Sequence, residues 1–225
     1  MDYILKKSLG DKVAQQVHKA LFPNKCLFCQ KALMEKGNFA CQICVDRYRV
    51  EKTWDVDIEG ISKIFVPFSY VDDVRHSVFR FKYGMERSLA WKMALAMVKA
   101  LEDDIAGDYF VPVPLHEKRL KERGYNQSAL LALELSLIFG LPGADLLTRT
   151  KETEKLFGLS RDKRLENLAD AMALKDGHGV GGKHIILVDD ILTTGSTALE
   201  CGKVLLDAGA KQVDLMVFAG VFRHG

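Results

Sequence analysis

The run Ile185 to Thr197, Ile-Ile-Leu-Val-Asp-Asp-Ile-Leu-Thr-Thr-Gly-Ser-Thr, leaves few folds open to this chain. Ile185 to Val188 are apolar without alternation, so they read as a strand buried on both faces, the kind found in parallel sheets covered by helices. Two adjacent carboxylates stand where that strand is expected to end. A turn of small, hydroxylated residues follows, and then Ala198 to Ala208 places Leu199, Val204 and Leu205 at helical spacing.

Thr193, Thr194, Gly195, Ser196 and Thr197 therefore lead into a helix N-terminus, where backbone N–H groups flanked by hydroxyls make an anion site suited to a monophosphate. Asp189 and Asp190 would repel a phosphate if they faced it. They should face vicinal sugar hydroxyls, a hydrated divalent cation, or both. A phosphorylated ribose meets both demands, whereas the Gly-rich signatures for nucleoside triphosphates and dinucleotides are missing from the sequence.

A second cluster is formed by Cys26, Cys29, Cys41 and Cys44, two Cys-x-x-Cys pairs separated by eleven residues. Each pair offers two thiolates from a tight knuckle, and together they complete a closed tetrahedral site, so structural zinc is favoured over an iron–sulfur cluster or two disulfides. Cys201 lies in the expected helix after the hydroxyl-rich turn and is read as packing.

A chain of 225 residues with 48% hydrophobic content supports one main core and a small satellite module. The apolar stretches fall short of a membrane span, and the N-terminus lacks a signal-peptide hydrophobic region. The expected location is the cytoplasm, at the inner face of the membrane where a partner holds the chain there. A net charge of +2 is too mild to argue for or against nucleic acid.

Between these landmarks, residues 1–22 read as an amphipathic helix docking on the body, residues 23–50 as the zinc ribbon and 60–225 as the main domain. Val45 to Glu59 is polar and reads as a linker. Ile64 to Tyr70 is expected to be the first strand, Val74 to Tyr83 and Ser88 to Leu101 helices, and Phe110 to Pro114 a strand whose prolines place it at an edge or a strand end. From His116 to Arg123 five basic or potentially basic side chains precede Gly124-Tyr125-Asn126-Gln127-Ser128, which reads either as a solvated charged turn or as an anion pocket containing His116, Arg119 and Arg123. The charged stretch Leu141 to Ala173 reads as a lid, a binding insertion or a solvated excursion. Further strands at about 184–189 and 213–219 give a mostly parallel α/β sheet with Asp189, Asp190 and His116 at strand C-terminal ends, where ligands of open sheets bind.

The strand, acid pair and Thr-Thr-Gly-x-Thr loop resemble the signature of type I phosphoribosyltransferases. That resemblance implies a site for 5-phosphoribosyl-1-pyrophosphate (PRPP): Asp189 and Asp190 on the ribose hydroxyls and, through water, on magnesium, with Thr193 to Thr197 on the 5′-phosphate. The larger order is similar to the ComF family of competence proteins. It runs from four cysteines through Phe81-Lys82-Tyr83-Gly84, Val111-Pro-Val-Pro-Leu-His116, Arg119-x-x-x-Arg123-Gly-Tyr-Asn-Gln127, Arg149-Thr-Lys151 and Leu159-Ser-x-x-x-Arg164-x-x-Asn167 to the acid-pair loop. The family pattern often carries glutamine where this chain has Leu156 and phenylalanine where it has Met172.

This second likeness implies a phosphoribosyltransferase-type domain behind a zinc ribbon, acting on incoming single-stranded DNA during natural transformation beside a helicase. As a magnesium-dependent transferase, the chain would use Arg119 and Arg123 on the departing pyrophosphate and Asp189 and Asp190 to fix the ribose. The alternatives are an inactive sugar-phosphate or single-stranded DNA adaptor for the helicase, with stacking on Tyr125, Phe157 or Tyr83, and a housekeeping transferase for an unidentified base or amine.

Overall fold

The computed structural model describes residues 24–33, 37–50, 57–101, 105–151, 171–177 and 179–222. The expected helix at 1–22 and the 152–170 stretch, with Leu156, Phe157, Leu159, Arg164 and Asn167, lie outside the described residues.

The helices are α1 (Gln42–Tyr48), α2 (Asp72–Tyr83), α3 (Leu89–Ala100), α4 (Glu117–Arg123), α5 (Gln127–Phe139) and α6 (Ser196–Asp207). The strands are β1 (Ile64–Phe65), β2 (Phe68–Ser69), β3 (Tyr109–Pro112), β4 (Leu147–Arg149), β5 (Met172–Leu174), β6 (His184–Leu192) and β7 (Gln212–Gly220). The main sheet runs β1-β7-β6-β3, with β2 also on β7, and every pairing in it is parallel. This is the expected α/β fold.

The unbroken apolar run of β6 follows from its central place. Ile186 and Val188 enter one core with Phe110, Met216 and Phe218, while Ile185 and Leu187 enter another with Val111, Leu215 and Val217. Successive side chains leave a strand on opposite faces, so both faces need cover. Helices α3 and α5 pack on the first face. Helix α6 and the β4–β5 pair close the second.

Three expectations change. The strand read over Ile64 to Tyr70 is two short strands interrupted at Val66-Pro67, since proline has no N–H for the ladder. The polar linker does not begin at Val45: residues 42–48 form α1, Tyr48 is buried, and Val50 N–H donates to the Pro67 carbonyl at 2.9 Å. The charged 141–173 stretch is framed by an antiparallel pair, with Leu147, Thr148 and Arg149 of β4 opposite Leu174, Ala173 and Met172 of β5.

The cysteine module shares the core of the sheet. Cys26, Leu27 and Phe28 are buried, and the Phe28 ring meets Tyr48, Phe68 and Phe218 at centroid distances of 5.5, 5.2 and 6.3 Å. Arg80 and Ser77 of α2 both donate to the Leu27 carbonyl at 2.7 Å, tying the first knuckle to the body. No helix among the described residues is long and apolar enough to cross a membrane.

Candidate functional site

Strand β6 does not stop before the acids. It continues to Leu192 with Asp189 opposite Val217 and Ile191 opposite Ala219, so the carboxylates belong to the strand and are held by its ladder. Strand β7 runs beside it to Gly220, and Asp190 is buried there.

Past Leu192, Gly195 takes φ 78° and caps α6, which begins at Ser196. No side chain caps this helix, so the orphan N–H groups of its first turn and the macrodipole are directed at the loop. Thr194 Oγ1 and Ser196 Oγ lie 3.0 Å apart. A cavity of about 210 Å³ opens here, lined by Asp189, Ile191 to Ala198, Leu215 and Val217. It brings Asp189 and Thr193 to Thr197 together around one cavity.

Asp190 is buried and points to a different partner. Its Oδ2 stands 2.9 Å from Lys82 Nζ at the last turn of α2. Asp189 Oδ1 accepts from Ser128 Oγ and from the Asp190 N–H, both at 2.8 Å. Burial, and then the neighbouring Asp190 charge, push the Asp189 carboxyl up to about 7 against the pull of Lys82. Burial would lower the Lys82 ammonium, but Asp190 outweighs it and the net shift is upward.

The basic segment forms α4, with His116 at its N-cap accepting from Lys118 N–H at 3.4 Å. Arg123, in its last turn, lies over the Tyr83 ring at 4.9 Å and donates to the Tyr83 hydroxyl at 3.1 Å. Arg119 works against the charge of Arg149, a buried side chain of β4 within electrostatic reach of Asp189. Burial lowers the Arg149 guanidinium first, and Arg119 lowers it further. His116, Arg119 and Arg123 do not line the cavity itself.

Tyr125 is unavailable for stacking: it is only 6% exposed, and its hydroxyl donates to the Phe81 carbonyl. Cys201 is fully buried on α6, and burial pushes its thiol up, as packing requires. Lys82 and Ser128 are the site residues that sequence reasoning missed. Lys82 sits in the quoted Phe-Lys-Tyr-Gly run, but its partner is 108 residues away in sequence, and only the α2–sheet packing joins them.

The Sγ atoms of Cys26, Cys29, Cys41 and Cys44 all lie within 4.8 Å of one another, and none forms a disulfide. Cys29 Sγ and Cys41 Sγ are 3.8 Å apart, the separation of about 3.8 Å that tetrahedral Zn–S bonds of roughly 2.3 Å require. Burial pushes the Cys26 and Cys44 thiols up, so these two ionise only with a cation beside them to offset the charge. The cluster fits a zinc ion held closed by protein ligands. The acid pair fits a hard cation by its oxygen donors, although Lys82 already occupies the approach to Asp190.

Residues 126–223, which carry the acid pair, the loop and α6, match the family model described as the phosphoribosyl transferase domain. Over 221 residues the chain is 30% identical to "Competence protein F" of Haemophilus influenzae, covering 95% of this chain and 90% of that one. This chain belongs to the ComF family. It is also 39% identical over 109 residues to the "DNA utilization protein YhgH" of Escherichia coli K12, covering 48% and 47% of the two chains. To "Competence protein ComFC" of Bacillus subtilis it is 27% identical over 153 residues, covering 63% and 57%.

Proposed function

We propose that the chain binds PRPP with magnesium at the Asp189–Thr197 site, carries structural zinc on its four cysteines, and takes part in handling single-stranded DNA during natural transformation. The observation that carries the first part is the joining of Asp189 and the Thr193–Thr197 loop in one cavity at the N-terminus of α6. Phosphate fits the N–H groups of the first turn, and the hydroxyls of a ribose fit the carboxylates. The DNA role is supported by the names of the relatives from H. influenzae and E. coli.

In this reading Asp189 and Asp190 orient the ribose as C1′ becomes cation-like, while Arg119 and Arg123 offset charge on the departing pyrophosphate. Magnesium, when bound, neutralises the diphosphate. Rate enhancement then comes from positioning and electrostatics, without a covalent step.

One observation favours a binding role beside the transferase. Phe79 and Tyr83 of α2 are 62% and 57% exposed, their rings are 5.0 Å apart, and Arg123 lies over Tyr83. Unpaired bases stack on such surfaces, and arginine tracks phosphates. Helicase association, an inactive adaptor role and a housekeeping acceptor remain separate hypotheses about the same site.

Calorimetry of the zinc-loaded protein with PRPP and Mg²⁺, against Asp190→Ala, tests the site, with pyrophosphate release followed as bases and single-stranded DNA are added. Binding lost in the variant is expected. Release that depends on an acceptor establishes a transferase, and equal binding by both proteins overturns the pocket.

A further inference from the structure

The acid pair meets a cation supplied by the chain itself. Lys82 Nζ lies 2.9 Å from Asp190 Oδ2, and both side chains are largely withdrawn from water. Two further cations stand near this pair of opposite charges. Arg123 of α4 opposes the charge of Lys82, and Arg149 of β4 feels both Asp189 and Arg119. Asp190 is thus already paired, and a bare divalent ion would have to displace the Lys82 ammonium or sit beside it as a like charge.

We infer that Lys82 is the resident counter-cation of Asp189 and Asp190: it keeps a free divalent ion off the pair, so that metal enters only with an anionic phosphate ester that balances it. The inference rests on the reading of the site as one for a metal-bearing sugar phosphate. It makes Lys82 a positioning residue that decides the order of binding, ester with metal and never metal first. An ester brings negative charge to Lys82, Arg123 and Arg119 as its metal approaches the carboxylates, and the ammonium is then free to turn from Asp190 toward the incoming anion.

The first test needs no ester. Mn²⁺ is titrated into the full-length, zinc-loaded protein, and bound ion is followed by electron paramagnetic resonance. The wild type should bind Mn²⁺ weakly, and Lys82→Met about tenfold or more tightly, since one unit of like charge leaves the pair. Lys82→Arg should stay like the wild type, because it keeps the charge. Lys82→Met combined with Asp190→Asn should lose the gain.

Equal affinity in wild type and Lys82→Met, or a gain that survives Asp190→Asn, overturns the inference. Should Lys82→Met fail to fold, the wild type decides: tight Mn²⁺ binding without PRPP that Asp190→Asn abolishes also overturns it. Calorimetry with PRPP and Mg²⁺ on the same proteins separates the two levels. A Lys82-dependent Mn²⁺ affinity without PRPP binding would sink the proposed ligand and leave the counter-cation in place.

Discussion

A carboxyl that titrates near neutrality makes Asp189 a pH-sensitive residue. Its folded value is raised to about 7, whereas an unfolded aspartate titrates near about 3.9. The folded state therefore holds the proton more tightly, and the contribution is complete below the unfolded value and lost as pH rises through the folded one. Asp189→Asn removes that loss. Its melting temperature should exceed that of the wild type by more at pH 8 than at pH 5, and thermal melts across this range check the sign. At Gly195 the constraint is steric and conformational. With φ 78°, an added Cβ would stand 2.6 Å from Ile58 Cδ1. Gly195→Ala should cost about 1–2 kcal/mol from the left-handed backbone, with the Ile58 tip shifting aside. Urea midpoints read the stability, and inorganic phosphate binding should weaken because the cap directs the α6 N–H groups.

At the scale of elements, α5 delivers a hydroxyl to the site as well as covering the sheet. Asn126 caps it by accepting from Ser128 N–H at 3.0 Å and donates to the Val113 carbonyl, which sets the helix against the end of β3. The Ser128 hydroxyl then reaches Asp189. Ser128→Ala should leave α5 intact, since the cap is made by the Ser128 backbone, and should weaken PRPP binding several-fold, equivalent to about 1 kcal/mol for a lost hydrogen bond. Calorimetry beside a circular-dichroism melt distinguishes this from unfolding. Several elements were legible from periodicity: α2, α3 and α6 fall within a few residues of their expected spans. The end of β6 was not. An acid pair after four apolar residues looks like a strand end when ladder partners are unknown, but pairing with β7 carries the strand on to Leu192.

For the whole molecule, the question is whether the cysteine module is an appendage. Phe28 packs in the same core as Phe68 and Phe218, so the module and the sheet bury one surface together. Removing the proposed zinc, by chelation or by Cys41→Ser, should therefore lower the stability of the entire domain in one cooperative transition. Calorimetric scans with two separate transitions would contradict this. Phe28→Ala should cost on the order of 3–5 kcal/mol with the metal still bound, which denaturant titration and zinc analysis read independently. The parallel α/β class, the hydroxyl-rich loop and the four metal-type cysteines could be read from the chain alone, because each depends on local spacing or on a contiguous run. Tertiary structure alone decided that Lys82 faces Asp190, that Ser128 serves Asp189, that Tyr125 is buried while Phe79 and Tyr83 are exposed, and that the cysteine module enters the main core. Those pairings join residues tens of positions apart, and only the packing of helices on a sheet brings them within reach.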